Sequence, residues 1–600
     1  MSRKILLSAN EAIAWGACKA GCRVASAYPG TPSTEIMENI RRFKDSINCE
    51  WAVNEKCAME VVVGASIAGA RALTAMKHVG LNVAMDPFMT YTYVGTNGGL
   101  VIISADDPGM HSSQNEQDNR NLAKFARVPL FEPADSQEAF DMVQEAFEVS
   151  EKYHAPAIIR LTTRTSHTST LVDVGDDFGP GNQEMKPYVK DISHTIPVPM
   201  FARKQRLDAQ VRTEQLRAAA NESRFNRIED GDKRLGIITS AVAYQYVKEV
   251  FPEFAVLKLG FTNPLPTALV TRFAQSVERV LVVEELDPFL EEQVRATGIQ
   301  VVEHKTELNM LELNPMRLSA LRAELLGDVT PVAAPHCDQG LPTRPPVLCP
   351  GCSHRSVFYI LHKLGATVTG DIGCYTLGAF PPLNAMDTTI CMGACVGNAF
   401  GMEKAKLPER QKAEGKTGRL CAVIGDSTFF HSGMTGILNV MYNGGHITTV
   451  VLDNRITAMT GHQDNPASGK NLCGDPAPVT DICEVAKAMG YRHVAKVSAY
   501  NLAELESVLK EALDCGEPAL VVAGGPCRVA AKLMGANTYT VDPQKCKACG
   551  ACFTLGCPAI ERAAEVVPGK RYQSRIDPAQ CSGCDICSQL CKFGAISKKG

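Results

Sequence analysis

The stretch from Leu420 to Gln463 restricts the possible folds of this chain more than any other. It contains two short apolar runs, Leu420 to Ile424 and Thr448 to Leu452, with a helical pattern from about Met434 to Tyr442 between them. A strand, a helix and a second strand in this order predict a βαβ unit and therefore a parallel sheet.

Polar residues follow both predicted strands. Gly425, Asp426 and Ser427 come directly after the first strand, and Asn454 comes just after the second. Ligands of parallel sheets bind beyond the carboxyl ends of the strands, and oxygen ligands there suit a small divalent cation such as Mg2+. The helix after Ser427 would direct its N-terminal N–H groups toward a diphosphate. The simpler alternative is an ordinary loop in which Asp426 caps the helix.

Composition indicates a globular protein of about three to five domains. The 600 residues are 45% hydrophobic and 21% charged, and the net charge of −4 gives no reason to expect nucleic acid. No apolar run approaches the length of a membrane span, and the N-terminus lacks the apolar core of a signal peptide. We therefore expect a cytoplasmic protein. The 23 Cys then favour reduced, metal-binding thiols over disulfides.

Patterns of apolar, polar and proline residues divide the chain into segments. They are an α/β domain over 1–170, a polar connector over 171–234, a second α/β unit over 235–330, a proline-rich linker over 331–348, the domain around Asp426 over 349–530, and a Cys-rich tail over 538–600. The first domain is expected to have helices over 10–20, 58–77 and 137–152 and strands over 24–27, 83–85, 100–104 and 157–161. In the second unit, Glu284 and Glu285 follow a predicted strand. They could contact a neighbour, but a solvated strand end is the preferred expectation.

The tail contains eight Cys in two runs. They are Cys546, Cys549, Cys552 and Cys557, then Cys581, Cys584, Cys587 and Cys591. Zinc sites use pairs of Cys, whereas three Cys at successive two-residue gaps wrap one face of a 4Fe–4S cubane. The zinc alternative is therefore the weaker one.

The tail resembles the two-cluster bacterial ferredoxins. This resemblance implies an α+β domain in which one cluster is bound by Cys546, Cys549, Cys552 and Cys591, and the other by Cys581, Cys584, Cys587 and Cys557. The first run departs from the ferredoxin pattern by one extra residue before its last Cys, and the second has Lys592 where Pro is usual.

The spacing of Asp426 and Asn454 resembles the signature of enzymes that bind thiamine diphosphate (TPP). The resemblance implies that Asp426, Asn454 and the carbonyl of Ile456 hold Mg2+. Ser427 and Asp453 depart from the usual signature residues.

Together with the tail, further motifs resemble the 2-oxoacid:ferredoxin oxidoreductases, in particular those that act on aryl pyruvates. The motifs are YPGTPSTE from Tyr28, Asn54-Glu55, MKHVGLNV from Met76, ADDPGMHSSQNEQD from Ala105, CPGC from Cys349 and GDIGC from Gly370. The resemblance implies two doubly wound TPP-binding domains, pyrimidine-binding over 1–170 and diphosphate-binding over 349–530. It also implies a transketolase C-terminal-like domain over 235–330.

The implied activity is oxidative decarboxylation of aryl pyruvates such as indolepyruvate. Coenzyme A accepts the acyl group, and electrons pass through 4Fe–4S clusters to ferredoxin. A smaller beta subunit completes the enzyme as a heterodimer or a dimer of heterodimers. Two alternatives remain, a non-oxidative decarboxylase with a regulatory tail and an electron carrier with vestigial TPP domains.

The same resemblance assigns roles to individual residues. Glu55 bonds the aminopyrimidine ring of TPP, with Glu60 as the rival. Thr31 contacts the substrate carboxylate or the cofactor, or only caps a helix. Asp371 and Gly373 line the diphosphate side. An acid–base group near the cofactor is sought among three histidines of polar loops, and we take His462 as the candidate over His111 and His431.

Four further Cys resemble the ligands of an additional cluster close to TPP. They are Cys349, Cys352, Cys374 and Cys527. The alternative is that Cys349 and Cys352 form a structural turn and Cys527 belongs to the core.

Overall fold

The computed structural model describes residues 3–328, 341, 345–535 and 537–599. These residues form two compact units, one on each side of residues 329–340. Most of the linker predicted over 331–348 lies outside the described residues. Within the described ranges, no helix combines the length and the apolar character that a membrane span requires.

The first unit contains thirteen strands and fourteen α-helices among its described residues. The strands are β1 (Lys4–Ser8), β2 (Val24–Ala27), β3 (Asn48–Trp51), β4 (Ala72–Lys77), β5 (Leu100–Asp106), β6 (Leu130–Phe131), β7 (Ala157–Thr162), β8 (Ser169–Asp173), β9 (Arg227–Glu229), β10 (Asp232–Ser240), β11 (Phe254–Leu259), β12 (Phe261–Asn263) and β13 (Val280–Val283). The helices are α1 (Ala9–Lys19), α2 (Thr34–Ile40), α3 (Glu55–Ile67), α4 (His78–Val83), α5 (Met85–Val94), α6 (Arg120–Ala126), α7 (Ser136–Tyr153), α8 (Thr163–His167), α9 (Ile192–Thr195), α10 (Pro199–Glu222), α11 (Ala241–Val250), α12 (Thr267–Ala274), α13 (Phe289–Ala296) and α14 (Pro315–Leu326).

The second unit contains nine strands and eight α-helices among its described residues. The strands are β14 (Thr367–Thr369), β15 (Leu420–Gly425), β16 (Thr448–Asp453), β17 (His493–Ser498), β18 (Ala519–Gly524), β19 (Tyr539–Val541), β20 (Ile560–Val567), β21 (Arg571–Ile576) and β22 (Ile596–Lys598). The helices are α15 (His354–Lys363), α16 (Ala394–Lys404), α17 (Leu407–Ala413), α18 (Asp426–Thr428), α19 (Met434–Tyr442), α20 (Ile482–Ala488), α21 (Leu502–Asp514) and α22 (Ile586–Leu590).

A seven-stranded sheet is the centre of the first unit, in the order β12-β6-β7-β5-β4-β2-β3. All neighbours are parallel except β12, which runs antiparallel to β6. Strands β5 and β7 are buried along their whole length, as in parallel sheets covered by helices on both faces. A four-stranded sheet, β13-β10-β11-β9, forms from the later residues of the unit.

Two of the predicted elements in the first unit are wrong. The helix predicted over 58–77 ends with α3 at Ile67, and its last residues form the buried strand β4. Between them, Gly69 has a φ of +96°, which suits glycine and ends the helix. The alanines of Ala72–Lys77 favour a helix. The segment is nevertheless a strand, because it pairs with β2 and β5 in the sheet. The strand predicted over 83–85 is the junction of α4 and α5.

A buried ionic network connects the two sheets of the first unit. Arg120, at the start of α6, is 1% exposed and donates to the Glu284 carboxylate at 2.7 Å and to the Glu285 carbonyl at 2.7 Å. Burial raises the pKa of Glu284 to about 7. The prediction that Glu284 and Glu285 form a solvated strand end is wrong, because a cation from α6 reaches them in the interior.

The second unit has a five-stranded parallel sheet in the order β14-β15-β16-β18-β17. The βαβ unit predicted at the start is confirmed: β15, α19 and β16 agree with the predicted runs to within one residue. The α/β class with parallel sheets is therefore confirmed in both units. The tail adds two antiparallel pairs, β19 with β22 and β20 with β21.

Hydrogen bonds hold the tail against the five-stranded part of the second unit. The Arg355 guanidinium of α15 donates to the carbonyls of Leu348, at 2.6 Å, and Leu555. On another side of the tail, the Gln589 side chain donates to the Tyr500 carbonyl at 2.8 Å and accepts from the Leu502 N–H at 3.0 Å. These bonds fix the position of the tail cysteines within the unit.

Candidate functional site

Asp426 lies at the carboxyl end of β15, beside the end of its parallel neighbour β16. It is 3% exposed, and its Oδ1 accepts the N–H of Ser427 at 2.8 Å. Its Oδ2 has no hydrogen bond of normal geometry with any residue that the structure describes. Asn454 directly follows β16, and its Oδ1 accepts the N–H of Ile456 at 3.1 Å. The predicted metal ligands thus occupy adjacent strand ends, as the signature requires.

The charges at this edge suit a cation. Burial, together with the neighbouring Asp453 carboxylate, raises the pKa of Asp426 to about 7. Asp453 also has a buried oxygen, Oδ1, without a hydrogen-bond partner among the described residues. A buried carboxylate oxygen without a donor is costly unless a cation or a proton neutralises it. Asp426, Asn454 and the Ile456 carbonyl are hard oxygen donors, so they fit Mg2+.

Asp371 and Gly373 lie at the same edge of the sheet. The buried Asp371 carboxylate accepts the N–H groups of Ile372, at 2.7 Å, and Gly393, at 3.1 Å. The ring of Tyr375 packs against Gly373 and Gly425, and a Cβ on Gly425 would lie 2.6 Å from that ring. Tyr375 therefore fixes the Gly370–Cys374 loop against the end of β15, and it requires glycine at both contact positions.

The three histidines have different surroundings. His431 is buried in a π-helical turn, Phe429–Gly433, and its Nδ1 lies 2.6 Å from the Ser432 hydroxyl. It is close enough to Asp371 to lower the pKa of that carboxyl, which burial raises to about 7. His462 is exposed with a φ of +70°, and His111 is exposed and lies 3.6 Å from Glu312. His431 could not be distinguished from the other two histidines by sequence, because burial of its turn depends on distant residues.

Glu55 and Glu60 lie in very different environments on α3. Glu55 is the first residue of the helix and is 5% exposed. Its carboxylate packs against Gly80 of α4, where a Cβ would lie 2.8 Å from Glu55 Oε1. Glu60 is exposed and forms an ion pair with Lys56. This placement favours Glu55 as the residue that faces a cofactor.

Lys77 is a site residue that sequence reasoning missed. It ends β4, its Nζ donates to the Ser112 carbonyl at 3.0 Å, and the Ser112 hydroxyl donates to the Thr31 carbonyl at 3.4 Å. Burial lowers the pKa of Lys77, while Asp107 and then Glu55 raise it. In sequence Lys77 resembles a surface cation at the end of a segment, so only its packing reveals its position. An ammonium group beside Thr31 can bind a carboxylate.

The eight tail cysteines line two separate cavities. One is lined by Cys557, Cys581, Cys584 and Cys587, and the other by Cys546, Cys549, Cys552 and Cys591. This is the division that the ferredoxin resemblance implies, with the last Cys of each run crossing to the other set. Each cavity offers four thiols, so both fit a 4Fe–4S cluster.

The four cysteines predicted for an additional cluster lie near one another. Burial, together with the neighbouring thiols of Cys349 and Cys527, raises the pKa of Cys374 to about 11. Burial likewise raises the pKa of Cys352 to about 12, with the Cys349 and Cys374 thiols acting in the same direction. In the described ranges, no three His, Cys, Asp or Glu side chains converge closely enough to hold a single metal ion. Cubane ligands stand further apart, because four thiolates share four irons.

The turn from Cys349 to Cys352 packs directly on the tail. A Cβ on Gly351 would clash with the Ser582 hydroxyl and would lie 3.2 Å from the Cβ of Cys584. Pro350 and Gly351 also line the cavity that contains Cys584. The additional cysteine set is therefore adjacent to one tail cavity.

Comparisons with known proteins agree with this arrangement. The model of the family "Pyruvate flavodoxin/ferredoxin oxidoreductase, thiamine diP-bdg" matches residues 15–224, and that of "Thiamine pyrophosphate enzyme, C-terminal TPP binding domain" matches residues 371–523. Fold and site thus define a thiamine diphosphate-binding oxidoreductase.

Curated relatives are similar over nearly their whole length. The chain is 42% identical to indolepyruvate oxidoreductase subunit IorA of Pyrococcus abyssi, over 99% of this chain and 97% of the relative. It is 39% identical to the subunit of the same name from Methanothermobacter thermautotrophicus, over 100% of this chain and 98% of the relative. The chain belongs to the family of the IorA subunits of indolepyruvate oxidoreductase, a branch of the 2-oxoacid:ferredoxin oxidoreductases.

Proposed function

We propose that this chain is the large subunit of an enzyme that oxidatively decarboxylates aryl pyruvates, indolepyruvate among them. The 2-oxo acid and coenzyme A yield an aryl-acetyl-CoA and CO2, and two electrons pass singly to two ferredoxins. A smaller beta subunit completes the enzyme, in a heterodimer or a dimer of heterodimers. Iron–sulfur clusters need reduced thiols, which agrees with a cytoplasmic location.

One observation carries this proposal: a single chain combines TPP-binding regions with two cavities of four thiols each. TPP supplies, when bound, the chemistry that releases CO2 from a 2-oxo acid. The cysteine-bound clusters supply one-electron transfer. A decarboxylase that does not oxidise its substrate releases no electrons and needs no clusters for electron transfer. The non-oxidative alternative is therefore the weaker one.

Residues of this chain hold and orient the cofactor. Asp426, Asn454 and the Ile456 carbonyl would bind Mg2+ on the diphosphate, and Asp371, Gly373 and Ser427 would line the diphosphate side. The buried Glu55 would bond a ring nitrogen of the aminopyrimidine and share its proton. Thr31 and Lys77 can bind the carboxylate of the substrate. His431 and the predicted His462 remain candidates for proton transfer.

The proposed function also assigns a role to each segment of the chain. We assign residues 1–170 to pyrimidine binding, 349–530 to diphosphate binding, and 235–330 to a transketolase C-terminal-like domain. The tail over 538–600 is assigned as a ferredoxin-like domain. The packing of Gly351 on Cys584 supports an order of electron transfer: from the set that contains Cys349 to the cavity of Cys584, and then to the cavity of Cys549.

A substrate panel tests the proposed function. The chain, coexpressed with its smaller subunit, is assayed for ferredoxin reduction with indolepyruvate, phenylpyruvate, hydroxyphenylpyruvate, pyruvate and 2-oxoglutarate. The expected result is reduction that depends on coenzyme A and is at least tenfold faster with the aryl substrates. Release of CO2 and an aldehyde without ferredoxin reduction would support the non-oxidative alternative.

Replacing Cys584 tests the exit path of the electrons. In Cys584→Ala, substrate should still reduce the cluster of the Cys349 set, but ferredoxin reduction should fall at least a hundredfold, because the adjacent tail cluster lacks a ligand. EPR of the substrate-reduced enzyme and a ferredoxin assay measure the two effects. Cys515→Ala, which removes a thiol outside all three cysteine sets, is the matched control. Unimpaired ferredoxin reduction in Cys584→Ala would exclude the tail as the exit path.

A further inference from the structure

Arg355 is a buried cation in the wall of one thiol cavity. It is the second residue of α15, and its side chain is 2% exposed. The cavity that it lines also contains Cys557, Cys581, Cys584 and Cys587. None of the roles assigned so far uses a positive charge at this position.

The hydrogen bonds of Arg355 leave its charge uncompensated. The guanidinium donates to three neutral carbonyls, of Leu348 at 2.6 Å, of Cys349 at 3.2 Å and of Leu555. Its Nε has no hydrogen-bond partner among the described residues. Asp585 lines the same cavity, but among the described residues no carboxylate lies within ion-pair distance of Arg355. A buried charge is costly unless an opposite charge lies beside it.

A cluster held by four thiolates supplies an opposite charge. It is net negative, and it becomes more negative when it is reduced. We propose that Arg355 is the buried counter-cation of the iron–sulfur cluster in this cavity, and that its charge raises the reduction potential of that cluster. This inference rests on the proposed function, because it requires a cluster bound by these four cysteines.

Arg355 lies between the additional cysteine set and the tail. Its Nη2 donates to the Cys349 carbonyl, which lies in the turn of the additional cysteine set, and its Nη1 donates to the Leu555 carbonyl in the tail. A cation here stabilises the reduced form of the tail cluster more than the oxidised form, since Coulomb attraction grows with the negative charge.

The test separates the charge of Arg355 from its hydrogen bonds. Arg355→Gln removes the charge, whereas Arg355→Lys keeps it and loses the planar fork that reaches three carbonyls. Arg419→Gln is the matched control: Arg419 also donates to a backbone carbonyl, that of Leu364, but its charge is paired with Asp514, and it is not among the residues that line the thiol cavity. The potentials are measured by EPR-monitored redox titration of the full chain with its partner subunit, with each signal assigned by its loss in Cys584→Ala or Cys549→Ala.

We expect Arg355→Gln to lower the equilibrium constant for one-electron reduction of the Cys584 cluster at least tenfold, which is 59 mV. Arg355→Lys and Arg419→Gln should change it less than threefold. Thermal unfolding, followed in parallel, should show that Gln and Lys at position 355 both reduce stability, because both lose hydrogen bonds. The proposal would be overturned if Arg355→Lys lowered the reduction potential as much as Arg355→Gln, in parallel with the loss of thermal stability.

Cluster content decides the remaining outcomes. If Arg355→Gln fails to bind the cluster while Arg355→Lys binds it, the charge is required and the proposal stands. If neither variant binds it, the hydrogen-bond geometry is what matters and the proposal is wrong. If iron and sulfide analysis of the unaltered chain finds no cluster in this cavity, the proposed function itself fails. An unchanged potential with intact clusters overturns only the role of Arg355.

Discussion

Asp426→Ala is expected to lower the affinity of the enzyme for TPP with Mg2+ by about a hundredfold or more, since even indirect supports of a metal site are worth about 10- to 100-fold. The substitution removes the buried oxygen Oδ2, which makes no hydrogen bond of normal geometry with any described residue. Activity at ordinary cofactor concentrations should be lost. Titration of the purified protein with TPP and Mg2+, read by the change in protein fluorescence, measures the affinity.

The tail should not respond to this substitution. Iron and acid-labile sulfide per chain should equal those of the unaltered enzyme, because the thiol cavities involve other residues. Asp475→Ala is the matched control, since Asp475 is an exposed acid in the loops after β16. Asp426→Asn, which keeps the acceptor for the Ser427 N–H, should lose the cofactor as well. Full activity in Asp426→Ala at ordinary cofactor levels would show that the metal is held elsewhere.

Glu55→Gln should lower kcat by about two to four orders of magnitude, the range that a positioned proton-transfer group contributes. Glutamine preserves the shape of the side chain in its buried position but cannot share a proton with a ring nitrogen. Substrate-driven ferredoxin reduction measures kcat. Binding of TPP should weaken far less than in Asp426→Ala, because the metal ligands are intact.

Glu60→Gln is the control for this result. Its kcat should be close to that of the unaltered enzyme, because Glu60 pairs with Lys56 at the surface. Gly80→Ala offers an independent approach: its Cβ would lie 2.8 Å from Glu55 Oε1 and must displace the carboxylate. We expect a large loss of kcat in this variant too. Normal turnover in Glu55→Gln combined with a loss in Glu60→Gln would transfer the role to Glu60.

The parts of the fold that depend on local pattern could be predicted from sequence. The βαβ unit around Asp426 has apolar runs bounded by turn residues, so its strands and its helix were predicted to within one residue. Strand β4 could not be predicted in this way, because its alanines favour a helix and only its neighbours in the sheet make it a strand. The positions of Asp426 and Asn454 at adjacent strand ends followed from the same local signal.

Features that depend on distant residues could not be predicted. The burial of Glu284 requires Arg120, a residue of α6 far back in the chain. Lys77 and Arg355 resemble surface cations in sequence, and only their packing reveals one beside Thr31 and the other in a thiol cavity. The division of the eight tail cysteines between two cavities followed from family resemblance, since spacing alone does not say which Cys crosses over.

The strand β12 has a consequence for the synthesis of the protein. Residues 261–263 form an edge strand of a sheet whose other strands all lie before residue 163. On the ribosome, the nascent chain therefore presents the uncovered edge of β6 and an Arg120 without its Glu284 until both later segments have emerged. An open strand edge favours pairing with other chains, whereas Arg120 already has Asp118 of its own segment as an ion-pair partner. The first sheet is thus completed only after residues 261–263 have been translated, and until then the short strand β6 is its edge.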